Sequence, residues 1–117
     1  MKLPEQIFRE YDIRGVADRD LTSDVILNIG KAYGTYLLRD KKSSIVVGRD
    51  SRVSSPRIHD SLLKGILSTG LNVTDLALTT TPCLYFAVHS LATDGGIMIT
   101  GSHNPPDYNG FKISLGK

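Results

Sequence analysis

The sequence has a single cysteine, Cys83, and no tryptophan. One cysteine cannot close an internal disulfide, so the chain reads as one kept in a reducing compartment. Its three histidines and that cysteine do not stand at metal-ligand spacing, which argues against a zinc site built by this chain alone. No apolar run approaches the roughly 18 residues of a membrane-spanning helix. The first fifteen residues carry Pro4, Glu5, Arg9, Glu10, Asp12 and Arg14, which leaves no apolar stretch for a signal peptide. A cytoplasmic protein is the expectation. The sequon Asn72-Val73-Thr74 falls in an expected strand and would need a secretory context that nothing else supports. Excess charge is lacking too: 14 Lys and Arg against 12 Asp and Glu, scattered along the chain, give no bulk attraction to nucleic acid or a membrane surface. Equally missing are a G-x-G-x-x-G fingerprint, a G-K-[ST] phosphate loop and a G-x-S-x-G nucleophile elbow.

What is present suits one small domain of 117 residues, 40% of them hydrophobic, though a short one to enclose a substrate by itself. Thr22-Ser23 supply capping hydroxyls, and Val25, Ile26, Ile29, Ala32, Tyr33, Tyr36 and Leu37 recur at helical spacing, predicting a helix that ends near Asp40. Ser44 to Gly48 is a β-branched run that predicts a buried strand. Ser55 as cap and Pro56 at the first position open a second helix with Ile58, Leu62, Leu63, Ile66 and Leu67 on one face, closed by a left-handed Gly70. Leu71 to Leu78 predicts a strand, Thr79 to Leu91 a third helical segment with Cys83 packed at its start, and Ile97 to Ile99 and Phe111 to Leu115 two final strands. Asn109-Gly110 reads as a tight hairpin turn before an antiparallel last strand. The alternation predicts an α/β fold: a three-layer α/β/α domain with a small mixed, mostly parallel sheet. Because the sequence stops at Lys117 directly after a strand, residues 1–117 are expected to be one domain excised from a longer chain, with uncovered apolar faces that favour weak self-association.

Ligands of open α/β sheets bind beyond the carboxyl ends of the strands, which draws attention to Gly48–Arg52, Leu78–Pro82 and Thr100–Asn109. In the third loop, Gly101 leaves the Ser102 hydroxyl accessible, His103 follows, and Asn104-Pro105-Pro106 stiffens the segment. His103 and Lys112 are suited to moving protons or stabilising an anion, although Ser and Asn here could equally serve as turn residues. Arg49, Asp50 and Arg52 suit either a surface ion-pair cluster or an anion site. Arg14 suits bidentate phosphate contact, or else pairing with Asp12. His59 and His89 read as ordinary helix histidines. With no third triad member, Ser102 is best read as a serine that accepts and gives up a phosphoryl group.

Three segments taken together, Phe8–Gly15, Val47–Arg52 and Gly96–Lys112, resemble the first domain of the α-D-phosphohexomutases, and the Thr100–Lys112 wording most resembles the bacterial phosphomannomutase/phosphoglucomutase branch. The resemblance implies the first of four domains, in a hexose-phosphate isomerase that interconverts 6- and 1-phosphates of mannose or glucose through a bisphosphorylated sugar, with hexose 1,6-bisphosphate as activator. It implies phosphorylation of Ser102, catalytic roles for Arg14, Lys112 and His103, and substrate or phosphate contacts from Tyr11 and Asn104. It also implies Mg²⁺ bound through the phosphate on Ser102, its other ligands lying outside this sequence; Asp18-Arg19-Asp20 lacks the third aspartate of such a metal loop and reads as a solvated turn. Hexose phosphates and the later domains of the same chain are the implied partners, without nucleic acid or membrane, and the 117-residue piece alone is expected to be inactive. A phosphoglucosamine mutase, which usually has alanine where Gly101 stands, and a non-catalytic regulatory module phosphorylated at Ser102 are the alternatives.

Overall fold

Apolar periodicity and capping build the helices as expected. Thr22 accepts the Val25 N–H at 3.4 Å and starts α2 (Ser23–Arg39), which buries Val25, Ile26, Ile29 and Leu37. Helix α3 (Ser55–Leu67) buries Ile58, Leu62 and Ile66, and Gly70 stands beyond it at φ +95°, where a side chain would be strained. Helix α4 (Thr81–Ser90) is capped by Thr80, whose hydroxyl accepts the Cys83 N–H at 3.3 Å. The structure, a computed structural model, describes residues 8–9, 12–101 and 104–115.

The strands are β1 (Phe8–Arg9), β2 (Asp12–Val16), β3 (Ser44–Arg49), β4 (Asn72–Leu78), β5 (Gly95–Ile99) and β6 (Tyr108–Leu115), and a four-residue helix α1 (Ala17–Asp20) follows β2. They form one sheet in the order β1-β2-β6-β5-β3-β4. From β3 the chain crosses to β4 through α3, then returns past β3 to β5 through α4. Right-handed crossovers running in opposite directions must lie on opposite faces of a sheet. Accordingly α2 and α3 cover Ile45, Val47, Ile97, Ile99 and Phe111, while Leu84 and Val88 of α4 cover Val46 and Met98. β3 and β5 are buried on both faces, which is why they read as unbroken apolar runs rather than alternating ones.

The fold is therefore the expected three-layer α/β/α domain with a mixed sheet. Its antiparallel part is larger than a mostly parallel sheet would have: β3 pairs in parallel with β4 and β5, whereas β1–β2, β2–β6 and β5–β6 are antiparallel. Polar residues at Arg9, Asp12 and Arg14 hid the N-terminal strands from an apolar-pattern reading. The Asn109-Gly110 turn is corrected as well. Both residues lie inside β6, facing Gly15 and Arg14, and the chain reverses earlier, where the Tyr108 N–H donates to the Pro105 carbonyl at 2.9 Å. Ser54 rather than Ser55 stands at the N-cap position of α3, with no capping bond from its side chain, while the Ser55 hydroxyl donates to Asp50 at 2.6 Å. Cys83 does not pack at the start of α4; it is exposed. Asp20 is no solvated turn residue: it is buried and accepts the Val16 N–H at 3.0 Å. His59 is a buried histidine facing Asp75 at 2.9 Å, and His89 is exposed.

Candidate functional site

The segment between β5 and β6 starts at Thr100 and ends at Asp107, at the carboxyl end of β5 and beside that of β3. Its geometry is set by the turn that joins β3 to α3. Asp50 Oδ2 accepts the Gly101 N–H at 3.1 Å, and its Oδ1 accepts the Ser55 hydroxyl at 2.6 Å and the Arg52 N–H at 3.1 Å. Partial burial would raise the Asp50 pKa, but these bonds and one from the Thr100 hydroxyl outweigh it and hold the carboxyl below the ordinary carboxylate range. Asp50 is thus charged at neutral pH. Arg52 donates through Nη1 to the carbonyls of Pro105 (2.5 Å) and Tyr108 (3.1 Å), and through Nη2 to that of Asn104 (2.8 Å), while its Nε lies 3.5 Å from Asp50. Its guanidinium lies against Gly101, where a Cβ would collide with it. Farther along, Asn109 Nδ2 donates to the hydroxyls of Ser54 and Ser55, both at 2.9 Å.

Of the two readings open for Arg49, Asp50 and Arg52, this geometry favours neither in its simple form. Asp50 and Arg52 pair, yet their bonds run chiefly to the loop backbone rather than to each other. The local spacing of these residues carries no hint of that contact, since it spans about fifty positions of sequence. Ser54, Ser55 and Asn109 are accordingly residues that sequence reasoning left out of the site, and for Asp50 and Arg52 it offered an ion-pair cluster or an anion site rather than a hold on the loop backbone. The Leu78–Pro82 loop contributes the cap of α4 and little else to this corner, its Thr79 N–H donating to the Arg49 carbonyl at 3.0 Å.

Of the expected site residues, Tyr11, Ser102 and His103 lie outside the described residues. Asn104 is half-buried, and both its backbone N–H (2.9 Å) and its Nδ2 (3.0 Å) donate to the Gly101 carbonyl, tying together the residues on either side of positions 102 and 103. Arg14 is 3% exposed, donates from Nη1 to the Ile13 carbonyl at 2.9 Å, and is paired across the β2–β6 ladder with Gly110. The Gly110 carbonyl in turn accepts the Thr100 N–H at 3.0 Å, so Arg14 stands at the root of the loop. Lys112, half-buried, is two residues beyond Gly110 and therefore on the same sheet face as Arg14, diagonal to it across adjacent strands. Its partner on β5 is Met98, which places both cations on the α4 face. The long-range antiparallel pairing of β2 with β6 has thus brought together two positive side chains far apart in sequence.

Among the described residues no three His, Cys, Asp or Glu side chains converge to hold a metal ion. Asp18-Arg19-Asp20 offers nothing toward one, because Arg19 donates to both oxygens of Asp20 at 3.0 Å. A cleft of about 380 Å³ lies behind the loop, lined by Ala17, Val53, Ser54, Arg57, Pro106 and Asp107 among others. Arg57 in that cleft donates to the carbonyls of Leu21 (2.8 Å) and Ala17 (3.2 Å), holding α1 against α3, and the cleft is separate from Arg14 and Lys112. No helix among the described residues is long and apolar enough to cross a membrane.

Comparison with known proteins bears on this arrangement. Residues 5–117 match the family described as phosphoglucomutase/phosphomannomutase, alpha/beta/alpha domain I. A phosphomannomutase/phosphoglucomutase of Pseudomonas putida is 49% identical over 113 residues, which are 97% of this chain and 24% of that protein. A phosphoglucomutase of Neisseria gonorrhoeae is 42% identical over 114 residues, 97% of this chain and 25% of that protein. The crystal structure of a phosphoglucomutase/phosphomannomutase family protein from Burkholderia thailandensis superposes with a TM-score of 0.90 at 40% identity, covering 97% of this chain and 27% of that one. The chain thus spans about a quarter of the length of these relatives. From the α/β/α architecture, the loop after β5 and the match over nearly all of its residues, the chain belongs to the phosphoglucomutase/phosphomannomutase family, as an α/β/α domain I.

Proposed function

We propose that this chain is the phosphoserine-bearing first domain of a longer mutase that interconverts hexose 6-phosphate and hexose 1-phosphate, with mannose and glucose as the sugars. The observation that carries the reading is the placement of Arg14 and Lys112 on one sheet face at the root of the loop that contains Ser102. Phosphoryl transfer asks little covalent chemistry of a protein beyond a carrier; it asks for alignment and positive charge around the transferring group. In the proposed reaction the bond between phosphorus and the Ser102 oxygen breaks as a sugar hydroxyl attacks, and the proton that hydroxyl gives up passes to the departing Ser102 oxygen. The bisphosphorylated sugar then turns over and returns its other phosphoryl group to Ser102. Arg14 and Lys112 stabilise the charge on the moving group, His103 assists the proton, and Tyr11 and Asn104 contact the sugar phosphate. Mg²⁺ belongs to the reading as a cofactor of the longer chain, where it would offset phosphate charge. Among the described residues no three His, Cys, Asp or Glu side chains form a ligand set for it. Hexose phosphates and the later domains of the same chain are the proposed partners, in the cytoplasm, and the 117 residues alone are expected to turn over no substrate.

The test is phosphopeptide mass spectrometry on the full-length chain before and after brief exposure to glucose 1-phosphate or mannose 1-phosphate with Mg²⁺. Phosphate on Ser102 that is discharged by one of these sugars supports the proposal and ranks the substrates. Phosphate on Ser102 that stays through every hexose phosphate, with hexose bisphosphate present, refutes the carrier role and favours a regulatory site.

A further inference from the structure

We propose that Asp50 and Arg52 are positioning residues of the reaction: the β3–α3 turn determines where the Ser102 loop sits, and thereby the alignment of the phosphoryl group carried there. The proposal rests on the reading of Ser102 as phosphoryl carrier.

The bonds are distributed in a way that a general staple would not require. Asp50 holds the backbone immediately before Ser102, through the Gly101 N–H at 3.1 Å. Arg52 holds the backbone after His103 at three points, the carbonyls of Asn104, Pro105 and Tyr108. Ser54 and Ser55 hold Asn109 at the start of β6. One turn therefore grips the loop on both sides of positions 102 and 103, and Asp50 and Arg52 are themselves linked at 3.5 Å. The acceptors on Arg52 are main-chain oxygens, whose positions depend only on the path of the loop, so the clamp reads backbone course rather than side-chain identity. A planar guanidinium with donors fixed in a fork suits three carbonyls at different angles; a lysine ammonium, compact and on a flexible stem, does not. Gly101 is part of the same device, since any side chain there would displace the guanidinium that lies against it. A misplacement of about 1 Å in a reacting group is enough to lower turnover by about 100-fold.

Two conservative substitutions at opposite ends of the clamp, made in the full-length chain, test this. Asp50→Asn keeps the shape but leaves an acceptor for only one of its two sets of donors, and Arg52→Lys keeps the charge but cannot span the three carbonyls. In each, the Gly101 and Tyr108 amides are expected to exchange hydrogen at least about 10-fold faster, kcat to fall about 100-fold, and KM for the hexose phosphate to stay within about twofold. Faster exchange with unchanged kcat overturns the proposal, leaving the clamp a structural brace only. A KM that rises while kcat holds overturns it in favour of substrate binding by Arg52, and unchanged exchange overturns it outright. Failure of the carrier reading is recognised separately, because then the unsubstituted chain shows no Ser102 phosphate that sugar can discharge, and this proposal falls with it.

Discussion

Gly110→Ala sets two effects of opposite sign against each other. Replacing a strand glycine by alanine restricts the unfolded chain and by itself favours folding by about 0.5–1 kcal/mol. At Gly110, however, the added Cβ would land on the Ile13 carbonyl oxygen, 2.8 Å from the Ile13 carbonyl carbon and 2.6 Å from Arg14 Nη1, where ordinary contact begins at 3.4 Å. Two of these three atoms are backbone and cannot rotate away. β2 must retreat from β6, loosening the pairs Ile13–Phe111, Arg14–Gly110 and Gly15–Asn109. Overpacking of this kind costs about 1–3 kcal/mol, and each weakened ladder bond about 1 kcal/mol more. The contact therefore wins, for a net loss of about 2 kcal/mol, or a fall in Tm of about 10 °C for a domain of this size. Urea and thermal unfolding followed by circular dichroism measure it. Adding Arg14→Ala should recover part of the loss, since it removes one of the three contacts and leaves Ile13. A Gly110→Ala protein as stable as the parent, or more so, would falsify the claim that this glycine is there to let Arg14 and β2 approach.

Three further expectations are independent of the site. Gly30 and Gly65 mark the crossing of α2 and α3: a Cβ on Gly30 would sit 2.6 Å from the Leu62 carbonyl oxygen, and one on Gly65 would meet that of Leu27. Alanine at either should destabilise despite a gain of about 1 kcal/mol in helix propensity, whereas Gly34→Ala, which meets only the Thr69 side chain, should be milder; equal effects at all three would refute the contact argument. The Tyr33 hydroxyl is buried with no hydrogen-bond partner among the described residues, and burial raises its pKa, so Tyr33→Phe should be neutral or stabilise by about 1 kcal/mol in urea unfolding; a loss of that size would reveal a partner. Asp75 would be raised by partial burial, but bonds from the His59 ring and the Ala77 N–H outweigh this and lower its pKa, as happens at Asp50. A folded pKa below the unfolded one contributes stability above the unfolded value and loses it as pH falls through the folded one. The unfolding free energy should therefore drop below about pH 4. Asp75→Asn should flatten that limb, and an unchanged profile would count against the pairing.

How far the sequence was legible follows from the range of each interaction. Thr22, Pro56 and Gly70 act within a turn of their own positions, so the helices they bound were readable to within a residue or two. The buried runs Ser44–Gly48 and Ile97–Ile99 announced central strands because both of their faces are covered. Asn109-Gly110 misled for a physical reason: the dipeptide suits a tight turn, but here the glycine makes room for Arg14 and the asparagine reaches Ser54 and Ser55. Cys83 looked like a packed residue at the start of a helix, yet it is exposed, and it is Leu84 and Val88 that fill the α4 side of the core.

Sequence alone established the α/β class, the capped helices, the family resemblance and the positions of Arg14, Asn104 and Lys112 as site candidates, since these rest on local chemistry and on motif wording. Tertiary structure decided that β2 lies against β6, so that Arg14 and Lys112 share one face, and that Asp50 and Arg52 grip a loop about fifty residues away. Hydrogen bonds from a guanidinium to main-chain carbonyls leave no trace in the identity of the residues that supply those carbonyls. Only the folded path of the chain brings them within reach.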